Sequence, residues 1–254
     1  MSTRGGTVGR SLLLLSSVLL LTSIAAKADL RGDLKKEVTS KHDPISYDKA
    51  QVELLGNVAL IRMTDGSYAI DEVYCSTPYG KTHLGNGVGP GKEPASTIIN
   101  VEHTVAQSWF KGRHYFNVGK ADLHHLYPSD SRANSMRGNF AFGDVGTIKN
   151  IPKCFDEERH DIDTESKLGS GSERELVFEP PVKHKGNVAR AIFYFAVRYD
   201  FPIPAAQEAT LRRWNKLDPV DQAEVERNNA IERIQGNRNP FIDHPEYVDQ
   251  ISKF

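Results

Sequence analysis

The sequence predicts an α+β fold in a single domain, and three observations predict it. Short β-branched runs bounded by turn residues, such as 57–63 (NVALIRM) and 97–101 (TIINV), alternate with helical patterning. Val188, Ile192, Phe195 and Tyr199 recur at spacings of four, three and four, which marks one face of a helix. No convincing linker divides the 254 residues, and 39% hydrophobic content is ample for one packed core.

Residues 1–28 stand apart from that fold. Arg4 and Arg10 precede an uncharged apolar run over 11–24, and Ala26-Lys27-Ala28 is a small-x-small cleavage signature. This segment reads as a secretory signal peptide, with a domain over 29–254. The alternative, an N-terminal membrane anchor, needs a longer apolar run. No other stretch approaches a membrane span, so the mature chain is read as having no stable membrane association. Removing the leader leaves 29 basic and 33 acidic side chains, a net charge of about −4. That excludes a surface coated in positive charge to hold nucleic acid by field alone. The two cysteines, Cys75 and Cys154, either pair in an oxidising compartment or stay as two buried thiols. Pairing would stabilise by roughly 4 kcal/mol. With no C-x-x-C spacing, metal ligation by cysteine is disfavoured.

Along the chain, a helix is predicted over 47–55 after the Asp43-Pro44 break. A hairpin follows, with arms at 57–63 and 67–75 around Asp65-Gly66. Residues 78–94, loaded with glycine and proline, read as a surface loop. The strand 97–101 delivers Glu102 and His103, and 104–110 holds a helical turn. A second strand over 122–127 (DLHHLY) is stopped by Pro128. Ser129 or Asp130 then caps a short helix over 131–137, ended by Gly138. Acidic, glycine- and serine-rich 152–175 reads as an exposed excursion. The long helix begins near Lys185-Gly186-Asn187 and ends at Phe201-Pro202-Ile203-Pro204. Shorter helices follow at 211–214 and 220–234, and the tail after Gly236 is ordered coil.

The chemistry concentrates in 101–139. Asn134 and Arg137 are three apart on one helix and share a face. Glu102 and Asn134 are oxygen donors of the kind magnesium prefers, His103 can accept a proton near neutral pH, and Arg137 is a fixed positive charge. These are the parts of a metal-dependent phosphodiesterase. Adjacent strand residues point to opposite faces, so Glu102 and His103 can act together only where the strand ends or kinks. Arg190, Arg198, Arg227, Arg233 and Arg238 read as helix charges or internal ion pairs, and Trp109, Trp214 and Tyr194 as core.

The runs VEHTVAQSWF, DLHHLYPSDSRANSMRGNFAFG, GNVARAIFYFAVRY and RNNAIERIQGNRNPFIDHP, in that order, resemble the bacterial endonuclease I family. The resemblance implies a ββα-metal (His-Me finger) core with surrounding helices, and a secreted or periplasmic, magnesium-dependent, sequence-nonspecific nuclease acting on DNA and possibly RNA. Mn2+ or Ca2+ can stand in for Mg2+. It also implies His103 as general base, Glu102 and Asn134 as metal ligands, and Arg137 as a phosphate contact from the N-x-x-R-x-N stretch that ends at Asn139. Arg113, the only arginine between the two motifs, takes the place of a further family arginine that stabilises charge. His124 matches the D-x-H histidine and would face the site, with His125 pointing away. A monomer is expected. The competing readings are a ribonuclease with little DNA activity and a non-catalytic nucleic-acid-binding module.

Overall fold

A computed structural model describes residues 30–75, 77–155, 161–172 and 174–254. The leader expected at 1–28 lies outside the described residues. The fold is mixed α+β. Helix α1 (30–40) is followed by α2 (Tyr47–Glu53), whose N-terminus is capped by Ser46 and whose end widens into a π-type turn over Leu54–Val58. Strands β1 (Leu60–Arg62) and β2 (Tyr68–Asp71) form the expected hairpin. Asp65 Oδ1 accepts the Ser67 N–H at 2.9 Å, and Gly66 takes φ +85°, a backbone region that favours glycine.

The segment expected as a surface loop is structured. β3 (Pro78–Tyr79) pairs with β2 and leads into α3 (Lys81–Leu84). The Tyr79 ring is fully buried and its hydroxyl donates to Asp130 at 2.8 Å, a tertiary anchor that composition does not report.

β4 (Ile99–His103) and β5 (Leu126–Asp130) form a two-stranded antiparallel ribbon. Between them lie α4 (Gln107–Phe110) and α5 (Phe116–Ala121), and α6 (Ser131–Arg137) follows directly. β6 (Ala141–Phe142), β7 (Thr147–Asn150), β10 (Lys167–Ser170) and β11 (Leu176–Glu179) make a four-stranded sheet in the order β6-β11-β10-β7. β8 (Lys153–Phe155) and β9 (Asp161–Asp163) form a separate two-stranded antiparallel pair. The excursion expected at 152–175 therefore carries strands, and Cys154 and Ser166 are buried.

Cys75 and Cys154 are disulfide-bonded, with Cα atoms 5.9 Å apart across a sequence separation of 79. Asp130 lies close enough to both sulfurs to suggest a metal site. Its Oδ1 caps α6 and its Oδ2 accepts from Tyr79, while the sulfurs are bonded to each other, so this group is a structural joint.

Helix α7 (Val182–Tyr199) starts earlier than expected. Gly186 lies inside it because a Cβ there would meet the Asp218 backbone oxygen at 2.0 Å. The glycine marks a close approach to the end of α8, not a helix start. Val188, Ile192, Phe193, Phe195 and Val197 are each at most 1% exposed. Burying each such side chain contributes about 1.5–3 kcal/mol, which makes α7 the spine of the larger core. α8 (Ala205–Leu217), α9 (Gln222–Gln235, ended by Gly236 at φ +80°), α10 (Pro240–Asp243) and α11 (Tyr247–Gln250) complete the helical layer.

Arg190 forms an internal ion pair with Glu224, and Trp214 and Tyr194 are core residues, as expected. The ribbon and its helix touch both cores, Ala133 packing in one, Ile99 and Leu126 in the other. Among the described residues no helix is long and apolar enough to cross a membrane.

Candidate functional site

The ribbon runs in register from Ile99 opposite Asp130 to His103 opposite Leu126. Pro128 does not stop β5, as the sequence had suggested; it sits in the middle of the strand, opposite Val101. Its backbone faces away from β4, where its carbonyl accepts the Val73 N–H at 3.1 Å. A missing N–H on that side costs the ladder nothing. Asp130 then caps α6 by accepting from the backbone N–H groups of Arg132 and Ala133, and Gly138 ends the helix at φ +54°. This short connection lays α6 against β4.

Asn100 and Glu102 share one face of β4 by strand alternation. The Asn134 amide nitrogen donates to Asn100 Oδ1 at 2.8 Å and to the Val101 carbonyl at 3.3 Å. A backbone carbonyl can only accept, so the NH2 end of Asn134 is fixed on the strand and its oxygen is turned away from it. Glu102 is 1% exposed, with Arg137 Nη1 3.1 Å from its Oε1. The Arg137 N–H bonds point at the His103 and Gly138 carbonyls (3.0 and 3.2 Å) and the Thr104 carbonyl (2.7 Å). The contact with Glu102 is therefore ionic, and Oε1 keeps no hydrogen bond. Burial raises the Glu102 carboxyl to about 7 against the opposing pull of Arg137.

His103 is the last residue of β4, where the chain turns away, which reconciles it with Glu102 on the adjacent face. Its Nε2 lies 3.1 Å from the Lys120 carbonyl, so Nε2 carries the proton and Nδ1 keeps its lone pair. The Gln107 amide reaches Nδ1 over 3.4 Å. Burial, followed by neighbouring His125, pulls the His103 imidazole down to about 3, so it is neutral at physiological pH.

Glu102, His103, Gln107, Asn134, Arg137 and Asn139 line one depression of about 290 Å³. Of the residues singled out in the sequence, Arg113 and His124 are not part of that lining. Arg113 is solvent-exposed three residues past α4. Arg137 lines the depression but is 1% exposed, with Nη1 and Nη2 bonded to backbone carbonyls, so it holds the site together from behind.

The two histidines of D-L-H-H-L exchange their expected places, because Leu123–His125 is a 3-10 turn and strand alternation does not apply. His124 turns inward, Nε2 to the Asn237 carbonyl at 3.1 Å, within a buried network around Asp122. Asp122 accepts from Tyr194, Tyr199 and Gln235. Although burial opposes its ionisation, the nearby histidines and these bonds hold its carboxyl below the usual range. His125 is the one beside His103, with ring centroids 5.6 Å apart.

The Glu102 carboxylate, whose Oε1 already faces Arg137 Nη1, and the outward-turned Asn134 oxygen are hard donors among the residues lining an open depression with room for water. That donor set fits a magnesium ion, which takes one or two protein oxygens and keeps several waters. Sequence reasoning missed Gln107, Asn100 and the Lys120 carbonyl. Gln107 carries a faint signal, four residues after His103; a backbone carbonyl carries none.

Residues 22–246 match the family described as Endonuclease I. The chain is 37% identical over 174 residues to an extracellular ribonuclease of Bacillus subtilis (strain 168), covering 60% of this chain and 53% of the relative. It is 33% identical over 175 residues to an extracellular deoxyribonuclease of Aeromonas hydrophila, covering 62% of this chain and 70% of the relative. An Endonuclease-1 of Buchnera aphidicola subsp. Acyrthosiphon pisum (strain APS) is 29% identical over 124 residues, 48% of this chain and 44% of that protein. The chain thus spans about half the length of the Bacillus relative it matches.

Proposed function

The chain belongs to the endonuclease I family, and from that premise we propose that it is an exported, metal-dependent, sequence-nonspecific endonuclease hydrolysing phosphodiester bonds of DNA, with RNA as a second substrate. The observation that carries this reading is the convergence of an unprotonated His103 Nδ1 with the Glu102 and Asn134 oxygens at one depression. The β4–β5 ribbon with α6 is then the ββα-metal unit. The relatives' names divide between RNA and DNA, which supports a dual substrate, since metal-assisted attack on a phosphate does not by itself require a 2′-hydroxyl. Those names also support export, with 1–28 as the leader. The protein acts as a monomer.

His103 Nδ1 takes a proton from the attacking water, while the Lys120 carbonyl holds the Nε2–H and so fixes which nitrogen is the base. The negative phosphate brought into the depression favours the imidazolium as it forms. Glu102 and Asn134 hold the metal, and Arg137 orients Glu102 and the strand exit. A bound Mg2+ supplies charge neutralisation at the phosphate and the leaving oxygen. Asn139 on the rim and exposed Arg113 are assigned to substrate contact. No covalent intermediate is required, because water is the nucleophile.

The test is digestion of supercoiled plasmid and of RNA by mature protein with magnesium, with chelator, and as His103→Ala. Loss of cleavage in the last two conditions is expected; cleavage unaffected by either would overturn the reading. Glu102→Gln should weaken metal dependence more than substrate binding, and equal loss of both would make Glu102 structural.

A further inference from the structure

The geometry points to His125 as a positioning residue that fixes the ring orientation and tautomer of His103, an inference that rests on the reading of His103 as the base. His103 has one firm hydrogen bond, from Nε2 to the Lys120 carbonyl at 3.1 Å, and one long one at Nδ1. A ring held at a single nitrogen can flip and exchange Nδ1 with a carbon, which would remove the lone pair from the depression. Packing must prevent that.

His125 is fully buried, and its ring meets His103 at 66° with centroids 5.6 Å apart. Phe195 and Phe110 back it at 4.7 and 6.2 Å. Its own orientation is set from the same place as that of His103. His125 Nε2 lies 2.6 Å from the Gly119 carbonyl, so both imidazoles donate to consecutive carbonyls in the last turn of α5. The carbonyls of a helix end lack the regular i+4 N–H partner, and this turn uses two of them as a paired clamp, the Gly119 carbonyl also accepting the Asp122 N–H at 3.3 Å. The His125 carbonyl also accepts the Thr104 N–H at 3.0 Å, which pins the backbone immediately after His103. His125 therefore bears on the base through both its ring and its backbone, while Tyr47 of α2 packs on the same His103 ring with centroids 5.6 Å apart. A displacement of about 1 Å at a reacting group can cost about a hundredfold in rate, so this control would be felt in turnover.

Two variants separate the contributions. His125→Phe keeps the ring and removes the donor to Gly119; His125→Gln keeps a donor and removes the ring. For each, kcat and KM on an oligonucleotide with magnesium are measured, together with the 15N shifts of selectively labelled His103 in the metal-free protein and the unfolding midpoint. The expected result is a fall in kcat of at least about tenfold with KM within about twofold, accompanied by a mixed His103 tautomer in a folded protein. A folded variant with wild-type kcat, or one whose loss of activity follows its midpoint while His103 stays Nε2-protonated, overturns the proposal. So does an Nδ1-protonated His103 in the wild-type protein, a measurement that needs no variant to fold. Wild-type protein without nuclease activity but with the Nε2–H tautomer would sink the nuclease reading and leave the clamp standing.

Discussion

Arg137 Nη1 stands 3.1 Å from Glu102 Oε1, and neither side chain is more than 2% exposed. Removing one member of a buried pair strands the other. Arg137→Ala would also take the donors from the His103 and Thr104 carbonyls. The expected cost is about 3–5 kcal/mol in denaturant unfolding, with Arg137→Lys intermediate because an ammonium cannot reach all three acceptors. A cost below about 1 kcal/mol would show that Glu102 needs no counter-charge.

Asn134→Asp nearly preserves shape and adds a negative charge that a cation should welcome. Its effect is nevertheless expected to be harmful, because the aspartate would point an acceptor at two others, Asn100 Oδ1 and the Val101 carbonyl. Loss of magnesium-dependent cleavage together with lower stability is the expected outcome. Retained cleavage would show that the Asn134 amide nitrogen has no part in the site.

The buried histidines are expected to make the protein acid-sensitive. Burial holds His124 near 4 and His184 near 3, against 6.5 in an open chain. Below pH 6.5 the unfolded chain therefore takes protons that the folded one refuses, and stability falls with pH until the folded values are reached. The slope is about 1.4 kcal/mol per pH unit for each such histidine. His184 Nε2 has no hydrogen-bond partner and the ring packs edge-on against Tyr127, so phenylalanine should fit. His184→Phe is expected to lose less stability than wild type between pH 7.5 and pH 5; parallel losses would count against its share.

The Cys75–Cys154 bond closes a long loop between β2 and β8. Replacing both with alanine should lower unfolding free energy by about 4–5 kcal/mol in the chain-entropy view. Neither cysteine lines the depression, so cleavage at low temperature should persist in the double variant.

The local part of the site was legible in the sequence. Asp130 as cap, Gly138 as stop, and Asn134 and Arg137 on one face follow from helix chemistry alone, and they place α6 as observed. What escaped depends on surroundings. Pro128 reads as a terminator until the side of the strand it faces is known. His124 and His125 exchange roles once a 3-10 turn replaces strand alternation. Tyr79 and Cys154 draw apparent loops into the core through partners far away in the chain. Arg137 looks like a surface cation in an N-x-x-R stretch, and only the fold shows it buried with Nη1 and Nη2 on backbone carbonyls.

A two-stranded ribbon has two free margins, and each is an invitation to pair with another chain. Here the outward carbonyls of β4, at Val101 and His103, are taken by Asn134 and Arg137, while β5 is covered by Val73, Glu72 and Arg227 through Pro128, Asp130 and Leu126. The side chains that assemble the site are thus also its guard against self-association. Replacing Asn134 or Arg137 would therefore also uncover a margin of β4 on which copies of the chain could stack.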